Sequence, residues 1–204
     1  LMETEGFDII ENQIITPVKS KGASCTQVLN NAIQELCNPA SENKKEETVY
    51  SKGATYIIRE GDKVINTENN YNTEPNIFNG NIGIVKEFTF NEEGEYVMVI
   101  DFMGIGQVEL EKKYWKGIEL GYAITVHRMQ GSQFDNIIFA LDFSAYALLS
   151  RELLYTGITR AKKKIKIVAQ TGALRMATAK EGVSKKQTHL QQSLYDETHP
   201  KLIF

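Results

Sequence analysis

The sequence contains two neighbouring stretches with strong local patterns: YAITVHRMQGSQFD at residues 122–135 and LLSRELLYTGITRAKKK at residues 148–164. In each stretch a short apolar run lies beside a helix start, and a glycine or a group of basic residues follows. Apolar runs that alternate with helix starts predict strands packed against helices. Together the two stretches predict one wall of an α/β domain.

The first stretch predicts a strand followed by a helix. Residues 118–123 form a short apolar run, and Thr125 is placed to cap the helix after it. The free N–H groups of that helix start, His127 and Arg128 indicate a site for an anion, most simply a phosphate. Residues 130–133, Gln-Gly-Ser-Gln, come one turn later. An ordinary helix end with a glycine cap is the alternative interpretation there.

The second stretch predicts a helix and then a strand. Ser150 is a favourable N-cap, and the apolar residues at i, i+4 and i+7 that we expect to be buried are Leu154, Ile158 and Ala161. A second stripe on the same helix consists of Thr156, Arg160 and Lys163. An arginine held on a packed helix, before a strand at residues 165–169, is how a guanidinium is directed at a phosphate. A solvated basic face is the alternative.

Four further segments have simple local patterns. Residues 13–16 predict a strand, and residues 26–36 predict a helix. The buried stripe of that helix is expected to consist of Leu29, Ile33 and Leu36. Residues 41–52 are polar and charged, so we expect a mobile linker there. Residues 172–178 predict a short helix.

The hydrophobic pattern changes to a period of two after residue 54. Five short predicted strands, separated by glycine-containing turns, lie at residues 55–59, 63–66, 82–90, 96–102 and 107–110. Five short strands joined by tight turns predict a small β-barrel.

Two polar turns of this barrel carry candidate binding residues. Asn70, Tyr71 and Asn79 would display amides and an aromatic ring to single-stranded bases or to their backbone. Turn chemistry, with Phe78 as a plug in the core, is the alternative. Residues 62–121 carry five Lys and Arg against eleven Asp and Glu, which disfavours a strong electrostatic grip by the barrel as a whole.

Charge is unevenly distributed along the 204 residues. The whole chain has a formal charge of −3, but residues 122–204 carry twelve Lys and Arg against six Asp and Glu. No apolar run reaches the ~18 residues of a membrane span and no charged-then-apolar N-terminal signal is present, so the expected location is cytoplasmic. Cys25 and Cys37 lie in or beside one predicted helix, far from metal-site or disulfide patterns, so no metal site is predicted.

The two opening stretches closely resemble the late motifs of RecD-like superfamily 1 DNA helicases, the type of the exodeoxyribonuclease V alpha subunit. The usual forms of those motifs are near YAITVHKSQGSEF and LLYTAITRAKK. Residues 16–39 are similar to the block that opens the second motor domain, and residues 61–85 to the start of the SH3-like module inserted in it. The resemblance implies an α/β fold: a RecA-like second motor domain, of the P-loop NTPase type, with an inserted small SH3-like β-barrel.

The resemblance also implies roles for single residues. Arg160 would be the catalytic arginine that reaches the γ-phosphate of ATP. The other implied nucleotide-binding residues are Gln130, Gly131 and Gln133, and the last of them departs from the usual glutamate. Contacts to nucleic acid are implied for Thr16, Thr125, His127 and Arg128.

The implied domains are discontinuous. We expect the motor domain at residues 9–53 and 119–175, with the inserted SH3-like barrel at residues 54–118. Residues 176–204 form a C-terminal tail to which the sequence assigns no role.

Half of a nucleotide pocket is missing from the chain. It contains no G-x-x-x-x-G-K-[ST] sequence and no acidic pair after a buried strand that would hold Mg²⁺. Helicases of this superfamily carry both on the first motor domain, and ATP binds between the two domains. We therefore expect a C-terminal fragment of an ATP-dependent helicase, inactive alone, that moves 5′ to 3′ on single-stranded DNA and unwinds duplex DNA.

The expected partners are DNA and the N-terminal motor domain of the same longer protein. Other subunits of a recombination complex are further implied partners, and no membrane is expected. Two alternatives stay open, the helicase part of a conjugative relaxase and a non-catalytic module that binds single strands or proteins.

Overall fold

The computed structural model describes residues 8–129 and 131–180, so that most of the expected C-terminal tail lies outside the described residues. The strands are β1 (Asn12–Thr16), β2 (Glu46–Ser51), β3 (Ala54–Arg59), β4 (Lys63–Asn66), β5 (Ile82–Phe90), β6 (Tyr96–Phe102), β7 (Gly106–Glu111), β8 (Ile118–Leu120), β9 (Ala123–Thr125), β10 (Phe134–Leu141) and β11 (Ala161–Ala169). The α-helices are α1 (Thr26–Cys37), α2 (Arg151–Ile158) and α3 (Thr171–Ala179), and short 3-10 helices lie at Lys112–Gly117 and Phe143–Ala145. None of the helices in this part of the chain has the length and apolar character that a membrane span needs.

The first sheet is parallel and has the strand order β11-β10-β1-β9. Successive side chains of a strand point to opposite faces. On one face Ile15 and Phe139 share a core with α2 and α3, whereas on the other Ile14 and Ala123 share a core with α1. The central strands are thus covered on both faces, as is usual for parallel sheets.

The second sheet is antiparallel and has the order β7-β6-β5-β4-β8. We call this five-stranded sheet the barrel. Phe88 is fully buried in its core against Trp115, whose Nε1–H donates to the Leu110 carbonyl at 2.7 Å. A register shift between Val85 and Glu87 marks a bulge in β5, which bends the strand and increases its twist. The strands predicted at residues 63–66, 82–90 and 96–102 are confirmed with the same bounds.

The mobile linker predicted at residues 41–52 is wrong, because half of it forms a hairpin. β2 pairs with β3 through a turn at Lys52 and Gly53, whose φ angles are 48° and 83°. Val49 and Ser51 are 2% and 0% exposed, so alternate side chains of this polar strand face the core. The strand at residues 55–59, which the pattern assigns to the barrel, therefore pairs in this hairpin instead.

The single strand predicted at residues 118–123 is in fact two strands in two sheets. β8 pairs with β4 and supplies the fifth strand of the barrel, while β9 pairs with β1 in the parallel sheet. Gly121 lies between them, and a Cβ at this position would meet the carbonyl carbon of Val64 at 2.7 Å. Only glycine permits so close a crossing, and the chain passes through it directly from the barrel into the first motif stretch.

Helix α1 is confirmed, and its predicted buried stripe is correct in part, because Ile33 is buried and Leu29 packs against the core. Leu36 is 67% exposed, and polar side chains occupy part of the buried face instead. The Asn30 amide donates to the carbonyls of Leu120 and Ala123 at 3.2 and 3.0 Å and accepts from the Ala123 N–H at 2.7 Å. The helix therefore packs through hydrogen bonds to the backbone between the two sheets, which an apolar periodicity does not detect. Helix α3 is confirmed at the predicted place.

A buried carboxylate connects the helix, the barrel and the first motif stretch. Asp62 is 0% exposed and accepts hydrogen bonds from the Arg59 N–H, the side-chain amides of Gln34 and Asn38, and the Tyr122 hydroxyl, at 2.5–2.9 Å. Burial raises the pKa of Asp62 above its ordinary value, although all four hydrogen bonds act to lower it. Four donors on one carboxylate make this a fully paired junction.

Candidate functional site

The predicted site residues divide between the two edges of the parallel sheet. β1 and β9 end side by side at Thr16 and Thr125, and the loop at residues 17–25 and the turn at residues 126–129 leave from this carboxyl edge. Arg160 precedes β11, so it lies at the opposite, amino edge.

The turn after β9 does not contain the predicted helix. The Arg128 N–H donates to the Thr125 hydroxyl at 3.4 Å, as at a helix start, and the Met129 N–H is shared between the carbonyls of Thr125 and Val126 at 3.3 Å each. The single turn then ends, because the chain must return to the amino edge to begin β10. The helix N-terminus predicted as an anion site is therefore wrong, although Thr125, His127 and Arg128 remain close together on this turn.

Arg128 is held by a carboxylate of the barrel. Its Nη1 lies 2.7 Å from Oε2 of Glu119, and Nζ of Lys19, in the loop after β1, lies 2.9 Å from Oε1. The Glu119 side chain is 5% exposed. Burial alone would raise the pKa of Glu119, but the hydrogen bonds and charges of Arg128 and Lys19 hold it below its ordinary value.

Two other residues that are predicted to contact nucleic acid differ in their exposure to solvent. His127 is exposed on the turn, next to the half-buried Thr125. Thr16 is 0% exposed, and its Oγ1 makes no hydrogen bond within the described residues. Its side chain does not reach the surface, so a direct contact by Thr16 is not supported.

Residues 126–133 link the two edges of the sheet, and those of them that the structure describes, 126–129 and 131–133, form no helix. Thr125 is level with Thr16 of β1, and Ile15 of β1 is level with Phe139 of β10. The first residue of β10 therefore lies six residues towards the amino edge from the level of Thr125. At the rise per residue of a strand, this is a distance of about 20 Å along the sheet. A short connection thus joins the turn that holds Arg128 to the edge that holds Arg160.

At the amino edge, the glycine of this connection leaves open space. Gly131 has a φ of 91°, and an added Cβ would meet no atom of the described residues within 4 Å. Gln133 is exposed two residues later, and Gln130 lies outside the described residues. The Phe134 N–H donates to the Arg160 carbonyl at 3.0 Å, which brings residues 131–133 and Arg160 to one place.

The second stretch forms a shorter helix than predicted. Ser150 caps α2 as predicted, accepting from the Leu153 N–H at 3.3 Å. The helix ends at Ile158, which is 42% exposed, and its buried residues are Leu153, Leu154 and Gly157. The predicted stripe of Thr156, Arg160 and Lys163 is wrong, because β11 already begins at Ala161 to pair with β10.

Arg160 differs from the basic residues after it. Its N–H donates to the Gly157 carbonyl at 3.3 Å, and its Nε is buried and makes no hydrogen bond within the described residues. Lys163, in contrast, is an exposed strand residue that pairs with Asp135 at 2.6 Å. A buried guanidinium nitrogen without an acceptor is costly, so Arg160 has the arrangement expected of a group that binds an external anion.

The barrel turns present an exposed aromatic pair. Tyr71 and Phe78 are 66% and 44% exposed, and their rings pack edge to face with the centroids 5.9 Å apart. The alternative in which Phe78 is a plug in the core is therefore wrong. Asn69 accepts from the Asn79 N–H at 2.9 Å, which is turn chemistry. Asn70 is 8% exposed, and its Nδ2 makes no hydrogen bond in the described part of the chain.

Sequence patterns missed Glu119, which organises the carboxyl edge. The available signal was a carboxylate between Ile118 and Leu120 in an apolar run. A charged residue inside such a run is usually exposed, whereas all three residues of β8, Glu119 included, are buried.

Comparison with known proteins identifies both parts of the chain. Residues 120–168 match the UvrD-like helicase C-terminal domain, and residues 29–102 match the SH3 domain of ATP-dependent RecD-like DNA helicases. The ATP-dependent RecD2 DNA helicase of Deinococcus radiodurans is 33% identical over 180 residues, which are 88% of this chain and 23% of that protein. The RecBCD enzyme subunit RecD of Mycobacterium tuberculosis is 41% identical over 66 residues, 32% of this chain and 12% of that protein. The chain spans less than a quarter of the length of these relatives.

Solved structures agree on the fold. A structure of two coordinating Pif1 helicases at forked DNA matches with a TM-score of 0.56 and 16% identity, over 94% of this chain and 45% of that chain. The Pif1 helicase from Candida albicans matches with a TM-score of 0.54 and 11% identity, over 95% of this chain and 51% of that chain. The predicted RecA-like α/β fold is confirmed. The chain therefore carries one segment that matches the UvrD-like helicase C-terminal domain and one that matches the SH3 domain of ATP-dependent RecD-like DNA helicases, and 88% of it is similar to a RecD2 DNA helicase.

Proposed function

We propose that this chain is the second motor domain of a longer cytoplasmic protein that uses ATP to translocate along single-stranded DNA and to unwind duplex DNA. One observation carries the proposal: residues 126–133 join a cationic turn at one edge of the parallel sheet to Gly131, Gln133 and Arg160 at the other. A motor must couple a nucleotide site to a strand-binding site, and this connection joins two such candidates within one sheet.

The amino edge is the proposed nucleotide side. Arg160 would bind the γ-phosphate, and its buried Nε, which has no hydrogen-bond partner among the described residues, supports this role. The open space at Gly131 and the exposed Gln133 beside it suit the sugar, and Gln130 belongs to the same proposed set. Bound ATP with Mg²⁺ would supply the phosphoryl group that is transferred to water, with the P-loop and the Mg²⁺ ligands contributed by the N-terminal motor domain.

The carboxyl edge is the proposed DNA side. Thr125, His127 and Arg128 would contact the backbone of the strand, where a cation and a hydroxyl suit phosphate oxygens. Asn70, Tyr71 and Asn79 of the barrel would extend this surface, since exposed aromatic rings stack on bases of any sequence. Other subunits of a recombination complex are proposed partners by likeness to the RecD relatives.

For the division of the chain, we propose a motor domain at residues 9–53 and 119–175, interrupted by the SH3-like module at residues 54–118. The passage through Gly121 supports a junction near residue 119, because β8 and β9 on either side of it belong to different sheets. Residues 176–204 are left without an assigned role.

Strand displacement by the longer protein tests the proposed function. With ATP and Mg²⁺, it should displace the complementary strand from a duplex with a 5′ single-stranded tail, and a duplex with a 3′ tail should stay intact. The chain of 204 residues, purified alone, should show no ATP turnover stimulated by single-stranded DNA, because half the nucleotide pocket is absent.

Three results would contradict this proposal. ATP turnover by the isolated chain would show that the pocket is complete. Binding of single strands by the longer protein without any ATP-dependent displacement would favour a non-catalytic tether. Covalent attachment of the longer protein to a nicked strand would favour the helicase part of a conjugative relaxase.

A further inference from the structure

Glu119 is a buried carboxylate with both oxygens occupied by cations. Oε1 lies 2.9 Å from Nζ of Lys19, and Oε2 lies 2.7 Å from Nη1 of Arg128. The Ser51 hydroxyl of the β2–β3 hairpin donates to Oε1 at 3.4 Å. One carboxylate thus connects the barrel, the hairpin and two separate loops of the parallel sheet.

The two cations come from the same edge of that sheet. Lys19 follows β1 and Arg128 follows β9, and these strands are neighbours. Their side chains are 37% and 25% exposed, whereas that of Glu119 is 5% exposed. The carboxylate therefore lies underneath, and the cations lie between it and the solvent.

An approaching phosphate would not displace Glu119 from the cations. Exchange would leave a buried carboxylate without its two cationic partners, which is strongly unfavourable. The cations have donors to spare, because an ammonium carries three N–H groups and a guanidinium five. The group of two cations and one anion also keeps a net charge of +1. A phosphate can therefore bind to the outer N–H groups while Glu119 keeps the inner ones.

We infer that Glu119 is a positioning residue, which holds Lys19 and Arg128 side by side so that together they bind one backbone phosphate of the single strand. The inference rests on the proposed function, since it concerns the same DNA side. It gives β8, the strand that joins the five-stranded sheet to the first motif stretch, a part in DNA binding through a residue that does not touch the strand of DNA. Lys19 becomes a direct phosphate ligand alongside Arg128.

The test measures the affinity of the longer protein for a single-stranded oligonucleotide over a range of salt concentrations. Glu119→Gln should weaken binding three- to tenfold, because the amide offers the two cations a single neutral acceptor. The slope of log K against log salt should become shallower by up to about one, the value for one lost phosphate contact. In an Arg128→Gln background, Glu119→Gln should weaken binding much less, because Arg128, the main cation that Glu119 positions, is already absent.

Tighter binding by Glu119→Gln, with a steeper salt dependence, would overturn the inference, since Glu119 would then only mask the two cations. Unchanged binding would overturn it as well. Asp101→Asn is the matched control, because it removes an exposed ion pair of the barrel, with Lys86 at 3.4 Å, and should leave binding unchanged.

A second double-mutant cycle, of Lys19 and Arg128, does not depend on whether the Glu119 variant folds. Lys19→Gln and Arg128→Gln should be non-additive in the double variant, because both cations bind the same phosphate. Additive effects would overturn the inference. If the wild-type protein binds single strands and unwinds duplexes but these variants behave as wild type, the inference alone fails. If the wild type does neither, the proposed function fails.

Discussion

Lys63 shows how the barrel is joined to the parallel sheet at the level of one residue. It is 1% exposed, yet Nζ has only carbonyl partners, Ile9 at 2.6 Å and Asn12 at 3.1 Å, among the described residues. Burial lowers the pKa of Lys63 to about 7, although the charge of Asp8 acts to raise it. A neutral amine can still donate to both carbonyls, so the joint survives without its charge.

The depressed pKa of Lys63 makes stability depend on pH. Between about pH 7 and the unfolded value of 10.5, the unfolded chain binds one proton more than the folded chain, so the free energy of unfolding should rise with pH. The rise should approach roughly 1 kcal/mol per pH unit. Chemical denaturation between about pH 7 and pH 9 measures it, below the range in which the tyrosines titrate.

Lys63→Met is the control for this prediction. It removes the titrating group and should flatten the profile over the same range. A wild-type profile that is already flat, or a slope that survives in Lys63→Met, would show that the pKa of Lys63 is not depressed in the folded chain.

The role of a single residue can be predicted when the residue belongs to a known motif. It cannot be predicted when the role depends on contacts with residues that are distant in the sequence. Arg160 is predicted by its motif, but no sequence pattern shows that its Nε is buried without a hydrogen-bond partner among the described residues. The burial of Thr16 and the inward direction of Glu119 depend on the pairing of β1 with β9 and of β4 with β8, strands that are far apart in the sequence. Sequence periodicity carries no information about such pairings.

At the scale of elements, β4, β5 and β6 were predictable because apolar alternation and glycine turns agree there. β2 was not, because EETVYS offers few apolar residues and its burial comes from the partner strand. The sequence predicts a helix after Thr125 because threonine is a favourable N-cap, and Thr125 does accept a capping hydrogen bond, but only a single turn follows at residues 126–129. Local signals therefore identify the capping contact but not the structure of the chain beyond it.

The segment between β4 and β5 makes a prediction of its own. If Tyr71 and Phe78 stack on bases, Tyr71→Ala combined with Phe78→Ala should weaken single-strand binding of the longer protein by about 1–3 kcal/mol for each stacked base. Fluorescence anisotropy with a labelled oligonucleotide measures this loss.

Phe90→Ala serves as the comparison, because Phe90 is 68% exposed at the far end of β5 and belongs to a different aromatic pair. It should bind as the wild type does. If the double variant also binds normally, the amides and rings of this segment serve only to shape the turns.

At the scale of the whole molecule, the barrel and the parallel sheet are connected by buried polar groups at several points. Asp62, Lys63 and Glu119 each join barrel strands or their turns to the other sheet or its loops. Removing one partner from such a buried contact is costly, so relative movement of the two sheets is disfavoured. This rigidity suits a domain in which the nucleotide side and the DNA side must move together.

In the proposed motor, the amino edge of the parallel sheet faces ATP through Arg160. The most direct measurement is kcat for ATP hydrolysis by the longer protein with saturating single-stranded DNA, compared between the wild type, Arg160→Ala and Lys163→Ala. Arg160→Ala should lower kcat by about 10³ to 10⁵, the range for arginines that stabilise a transferring phosphoryl group, and DNA affinity should stay near that of the wild type. Lys163→Ala, which removes an exposed ion pair three residues away, should change kcat little. A loss below about tenfold in Arg160→Ala, or an equal loss in both variants, would contradict the account and leave Arg160 as part of a solvated basic face.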